Sequence, residues 1–223
     1  MHLPLWVKQR KLLDIMIRVT DLKRGKKNRY IVTINDKEYD VNENLVLNYH
    51  LTKNHIIEDE QELDKIISDI EYYDFYDLAL TYIERNMKSS GAIIQYLKNK
   101  GASFEISTKI VNTLVSRHLL DDRKYYIMLI EHYIRQGYGP LFIINKAKLN
   151  GVPSSITNDI SLDSYYKDIK ENCMTQALKK KKMIKDSDNY KIKLKLSKFL
   201  SSRGYNYEMI SEVLKEVLWK RTD

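Results

Sequence analysis

Tyr96-Leu97-Lys98-Asn99-Lys100-Gly101 reads as the end of a helix. Ile93, Ile94 and Leu97 fall on one helical face, and Gly101 stands where chains commonly turn left-handed after a helix. The ending recurs twice. Ala147-Lys148-Leu149-Asn150-Gly151 and Leu200-Ser201-Ser202-Arg203-Gly204 place glycines 50 and then 53 residues further on, each with an apolar residue four before it (Leu97, Ala147, Leu200). Apolar residues also follow at plus five and plus nine: Ile106 and Ile110, Ile156 and Ile160, Met209 and Val213. A fixed period near fifty residues marks supersecondary units that bury their apolar faces on one another. The spacing predicts three tandem three-helix repeats.

Upstream the signals are of β-structure. Ile17 to Leu22 and Tyr30 to Ile34 flank the basic, glycine-containing turn Lys23 to Asn28, and Asn35-Asp36 turns the chain again into Glu38 to Val41. A small three-stranded meander follows from this. Asn42 is placed to cap a short helix carrying Leu45, Val46 and Tyr49, with another helix near residues 60 to 70 and a helical segment from Asp74 onward. The expected organisation is a leader at 1–15 outside the fold, a β-containing segment at 16–72, and repeats at 73–121, 122–168 and 169–223. The fold class is mainly α.

No apolar stretch approaches the roughly 18 residues of a membrane-spanning helix, because charges interrupt each one. The opening residues carry neither a continuous apolar region nor a small-residue cleavage site, which predicts a cytoplasmic protein. A single cysteine, Cys173, cannot form an internal disulfide and reads as a buried structural thiol.

The chemistry-bearing motifs are missing. There is no phosphate-binding loop, dinucleotide fingerprint, nucleophile elbow or H-E-x-x-H pair. Of the five histidines only His50 and His55 are close, and no cysteine or carboxylate pattern completes a metal site around them. Asp121-Asp122 reads as a helix cap, and Tyr125 and Tyr133 as packing residues. Neither catalysis nor a cofactor is expected.

Charge locates the candidate contact surface. Residues 1–123 are balanced, so the whole excess of +8 lies beyond residue 123. Such asymmetry speaks of partners, usually nucleic acid or an acidic protein surface. Its densest part is Lys179 to Lys182 with Lys185, followed by Lys191, Lys193, Lys195 and Lys198. The run KIKLKL also fits a strand, but Ile192, Leu196 and Phe199 continue at helical spacing as far as Leu200. A helix puts Lys191, Lys195 and Lys198 on one stripe. Like charges at this spacing cost an isolated helix about 0.2–0.5 kcal/mol per pair, which a polyanionic partner offsets.

Three stretches carry a resemblance: LALTYIERNMKSSGAIIQYLKNKG (78–101), LVSRHLLDD (114–122) and GYGPLFIINKAKLNGV (137–152). Together they resemble the RecX family, over roughly residues 17 to 218, in the manner of its longer Gram-positive-type members. The steps concerned are Lys88-Ser89, Gly137-Tyr138-Gly139-Pro140 and Arg203-Gly204-Tyr205. The resemblance implies an elongated, curved array of three repeats and a monomer without catalysis or cofactor. It also implies binding to nucleoprotein filaments of the RecA recombinase, with DNA as a further contact. Such binding limits strand exchange, ATP turnover and co-protease activity in recombination, repair and the SOS response. A stand-alone DNA-binding protein of helix-turn-helix-like units is the alternative; the spread of lysines over two repeats favours the filament.

Two departures from the family pattern shift the expected site. Ser89-Ser90-Gly91-Ala92 lacks the glutamate of a capping box, so that helix start should be weak. After Gly139-Pro140 the chain has Leu141 and Phe142 where the family tends to have arginines, leaving Arg135, Lys146 and Lys148 there. The expected contact residues are therefore Lys88, Arg135, Lys146, Lys148, Lys179, Lys180, Lys182, Lys191, Lys195, Lys198 and Arg203, with the weight on the third repeat.

Overall fold

The computed structural model describes residues 16–219, so the leader expected at 1–15 lies outside the described residues. By contact the chain divides into two units. One gathers residues through Arg85 with Lys100–Ile110, the other Asn86–Asn99 with Val111 onward.

In the first unit, strands β1 (Val19–Arg24), β2 (Arg29–Ile34) and β3 (Lys37–Asn42) form an antiparallel meander in that order. The β2–β3 turn is Asn35-Asp36, both with positive φ (42° and 68°), the geometry of a tight hairpin whose twist matches its strands. Val19, Val32, Ile34 and Val41 turn one sheet face onto Leu45 and Val46 of α1 (Glu43–Asn48), together with Leu51, Ile57 and Ile66. Asn42 caps α1 as expected, accepting from the Asn44 amide at 2.7 Å. The next helix, α2, corrects the reading of two segments. It runs unbroken over Glu60–Glu84, so the helix near 60 to 70 and the segment from Asp74 are one, and the boundary expected at residues 72 and 73 falls inside it. Nothing between those residues stops a helix: the stretch contains neither glycine nor proline.

The remaining helices are α3 (Ser90–Asn99), α4 (Phe104–Ser116), α5 (Asp122–Arg135), α6 (Pro140–Leu149), α7 (Ser154–Asp159), α8 (Tyr166–Met183), α9 (Asn189–Ser202) and α10 (Tyr207–Trp219), with a 3₁₀ turn at Asp163–Tyr165. The second unit is built on one core that includes Tyr126, Ile130, Ile143, Ala147, Ile169, Cys173, Ala177, Leu196, Leu200 and Val213. KIKLKL is helical, as its apolar spacing requires. Of the paired tyrosines, Tyr126 is the fully buried one, whereas Tyr125 and Tyr133 pack half-buried against the same core.

Helices α3, α6 and α9 each end at a glycine with positive φ: Gly101 (103°), Gly151 (75°) and Gly204 (82°). At Gly151 and Gly204 the ending is a Schellman turn. The amides of Val152 and Tyr205 reach back to the carbonyls of Ala147 and Leu200, at 3.0 and 3.3 Å.

The start of α3 departs from expectation. Ser89 is the cap, its hydroxyl accepting from the Ala92 amide at 3.1 Å, and a carboxylate is present after all: Asp122, at the start of α5, accepts from the Ser90 amide at 2.8 Å. The missing glutamate is replaced from another helix, so this start is not left weak. Both carboxylates of Asp121-Asp122 are caps, since Asp121 accepts from Lys124 of its own helix at 3.0 Å.

Candidate functional site

Two buried stripes decide which lysines of the third repeat face outward. On α8, Ile169, Cys173 and Ala177 are buried at four-residue spacing, and on α9 Ile192, Leu196 and Leu200 repeat the pattern. Lys179, Lys182, Lys191, Lys195 and Lys198 consequently lie exposed, while Lys180 is half-buried. The ammonium groups of Lys179, Lys182, Lys191 and Lys198 have no hydrogen-bond or ion-pair partner among the described residues. Lys195 differs: it bridges to Asp186 at 3.0 Å, and that ammonium, with the Asp188 amide, holds the Asp186 carboxyl below the usual carboxylate range. Exposed Tyr190 and Leu194 stand between these lysines on the outer face of α9.

The other expected cations fall in different settings. Lys148 is exposed without a side-chain partner among the described residues, Arg135 pairs with Glu131 at 3.8 Å, and Lys88 is half-buried.

Lys146, Lys180 and Arg203 are drawn together by aromatic rings that the reading of the sequence did not assign to the site. Lys146 Nζ lies 5.4 Å from the Phe142 ring centre, and Phe142 stacks on Tyr138 at 3.9 Å and 14°. The Arg203 guanidinium sits 5.1 Å from Tyr138 and 5.2 Å from Phe199, and Lys180 Nζ lies 5.3 Å from Phe199. Tyr133 meets both Tyr138 and Phe142 edge-on. The result is an unbroken series of ring and cation contacts from α6 through α9 to α8. Each cation–ring contact contributes about 0.5–1 kcal/mol in a partly exposed setting. The signal was present in the sequence as residues four apart: Tyr138, Phe142 and Lys146 along one helix start, and Phe199 and Arg203 along another helix end.

Arg203 is held on both sides. Its guanidinium donates to the carbonyls of Gln136 and Gly137, each at 3.3 Å, and its own carbonyl accepts from the Gly139 amide at 2.8 Å. The next-but-one residue, Tyr205, is buried and donates its hydroxyl to Gly137 at 3.0 Å, with its phenol pushed upward by that burial. Arg203-Gly204-Tyr205 therefore fastens the third repeat to the Gly137-Tyr138-Gly139-Pro140 turn of the second. Beneath the surface, burial pushes the Cys173 thiol up to about 12, far from any reactive state. Among the described residues, no group of three or more His, Cys, Asp or Glu is arranged to hold a metal, and no helix is long and apolar enough to cross a membrane.

Comparison with known proteins agrees with this architecture. The profile of the RecX third three-helix domain matches residues 168–214. The regulatory protein RecX of Clostridium acetobutylicum is 31% identical over 209 residues, covering 88% of this chain and 94% of the relative. That of Clostridium botulinum is 32% identical over 149 residues, covering 64% and 68%. Among solved structures, a crystal structure of a regulatory protein RecX superposes with a TM-score of 0.75 over 88% of this chain and 98% of its own, at 20% identity. RecX from Lactobacillus salivarius gives 0.61 over 66% and 96%, also at 20% identity. With a β-meander ahead of helical repeats, and with a relative 31% identical over 94% of its own length, the chain belongs to the RecX family of regulatory proteins.

Proposed function

We propose that the protein is a non-catalytic cytoplasmic modulator of the RecA recombinase, which lies along the RecA nucleoprotein filament and restrains ATP turnover, strand exchange and co-protease activity. The observation that carries this reading is the outer face of the third repeat, where Lys179, Lys182, Lys191 and Lys198 point to solvent without internal partners. A surface of spread lysines, with Tyr190 and Leu194 between them, suits a long anionic partner better than a single base sequence. In this reading the β-containing segment runs on into the continuous helix α2, and the second and third repeats work as units at 122–168 and 169–223. The protein acts as a monomer, and residues 1–15 are dispensable.

The test is ATP hydrolysis by purified RecA on single-stranded DNA with increasing amounts of the protein. Suppression below one copy per RecA protomer is the expected result, since a bound array covers several protomers. No effect at a molar excess, with binding to bare DNA intact, would instead identify a stand-alone DNA-binding protein.

A further inference from the structure

Two junctions between successive repeats are built alike, group for group. Counting back from each turn glycine, the amide ten residues before it donates to the carbonyl of the next repeat's turn glycine: Gly91 to Gly151 at 3.1 Å, and Leu141 to Gly204 at 3.0 Å. The group twelve residues before it donates to the carbonyl just ahead of that glycine. In the first junction this is the Ser89 hydroxyl on Asn150, and in the second the Gly139 amide on Arg203, at 2.8 Å. Main chain thus meets main chain, with almost no side chain between.

The glycines make this approach obligatory. A Cβ on Gly91 would stand 2.4 Å from the Gly151 carbonyl oxygen, and one on Gly139 would stand 2.5 Å from the Gly204 carbonyl and the Tyr205 amide. Those atoms are backbone on both sides, so nothing flexible can give way. Neither Gly91 nor Gly139 has a positive φ; Gly139 lies at −90°, where any residue is comfortable. Their own conformation does not ask for glycine. Only the neighbouring repeat does.

We infer that Gly91 and Gly139 are positioning residues that set the spacing at which successive repeats present their cations to a regularly repeating partner, without touching it. The inference rests on the filament reading above. Lysines on separate repeats engage separate sites of a polymer together only when their spacing matches it, and the two junctions fix that spacing at backbone contact. An alanine at either position forces the repeats apart by about 1 Å at the contact, the difference between 2.4–2.5 Å and an ordinary approach.

Gly101 provides a matched control. Its φ of 103° strains any other residue, yet a Cβ there meets nothing within 4 Å, so Gly101→Ala destabilises without wedging a junction. The experiment compares wild type with Gly91→Ala, Gly139→Ala and Gly101→Ala in two measurements. One is the distance between nitroxide labels at Ser155→Cys and Ser201→Cys, which are exposed on the second and third repeats, with Cys173 too buried to be labelled. The other is affinity for RecA filaments on single-stranded DNA.

Gly139→Ala should shift the label distance and, like Gly91→Ala, weaken binding by about tenfold, a change of about 1.4 kcal/mol. Gly101→Ala should leave both as in wild type. Should Gly91→Ala fail to fold, Ser89→Ala removes a junction hydrogen bond, together with the α3 cap, without adding volume; it should weaken binding in the same direction, by less, and by more than its lost stability alone explains. Binding that follows thermal stability alike in all variants overturns the inference, as does an unmoved label distance in Gly139→Ala. A wild type that ignores the filament sinks the filament reading instead, while the label distance still decides whether Gly139 sets the spacing.

Discussion

Replacing Arg203 with alanine should destabilise the protein by about 2 kcal/mol while leaving its helices intact. The guanidinium makes two hydrogen bonds of 3.3 Å to uncharged carbonyls, long enough that each contributes about 0.5 kcal/mol net. Its contacts with the Tyr138 and Phe199 rings add about 0.5 kcal/mol each in a half-exposed setting. The carbonyl of Gly137 keeps the Tyr205 hydroxyl, so the loss is not compounded by a stranded acceptor there. For a chain of this size 2 kcal/mol lowers the melting midpoint by about 4–8 °C. Arg203→Lys keeps the charge but lacks the planar fork and should lose about half as much. The assay is thermal unfolding by circular dichroism, beside filament binding at low and moderate salt. If Arg203→Ala melts with the wild type yet no longer binds, Arg203 is a direct contact, and the fastening role argued from its four partners is wrong.

Three further outcomes follow from the same geometry. The double variant Lys191→Glu, Lys198→Glu flanks Lys195 with carboxylates, turning two like-charge pairs into attractive ones. Stability should rise by about 0.8–2 kcal/mol while co-sedimentation with filaments falls, and a folded variant that sediments normally would make these lysines an idle solvated face. Where the contact is to phosphate, the log–log salt slope drops by about 0.7–0.9 per lost contact. Asp122→Ala should cost about 1 kcal/mol in urea unfolding through the lost cap on α3, and Asp122→Asn should restore most of it; equal losses in both would mean that charge rather than the Ser90 hydrogen bond matters. Cys173 should resist iodoacetamide at pH 8 until the protein unfolds. With a folded thiol near 12 against an ordinary value of 9, stability should hold below pH 9 and fall as pH rises toward 12, because only the unfolded state ionises. Rapid native alkylation would refute the burial.

Periodicity was the most legible property of this chain. The turn glycines were found from spacing alone because a helix that must end and reverse needs a residue at positive φ, and Gly101, Gly151 and Gly204 all adopt it. Asn42 and Asp121 were legible as caps for a similar reason, since the bonds they make are local. What spacing could not show was contact between residues far apart in the chain. Asp122 caps α3 from 32 residues away, and Arg203 reaches Gln136 across 67. Lys180, read as a surface lysine, is drawn over Phe199 for the same reason. The single long helix α2 was missed because its buried residues, Ile66, Tyr72, Tyr76 and Ala79, keep no constant helical spacing.

The third repeat closes the series of junctions with a change of four residues. In α3 and α6 the helix begins eleven residues before its turn glycine, at Ser90 and Pro140, so amides near the start lack intrahelical partners and are open to the next repeat. In α9 the start is Asn189, fifteen residues before Gly204, and the amide ten before the glycine, that of Leu194, is already bonded inside the helix. The added turn satisfies itself: the Asp188 carboxylate accepts from Tyr190 at 2.8 Å, and its carbonyl accepts from Ile192 at 2.9 Å. An incoming turn carbonyl of the kind supplied by Gly151 or Gly204 would find a carboxylate here instead of a donor. Four residues advance a helix by little more than one turn, so Ile192 still joins the buried stripe of Leu196 and Leu200. The turn that closes the junction series thereby carries Tyr190 and Lys191 outward. It lengthens the lysine stripe at the place where no further repeat can cover it by the same bonds.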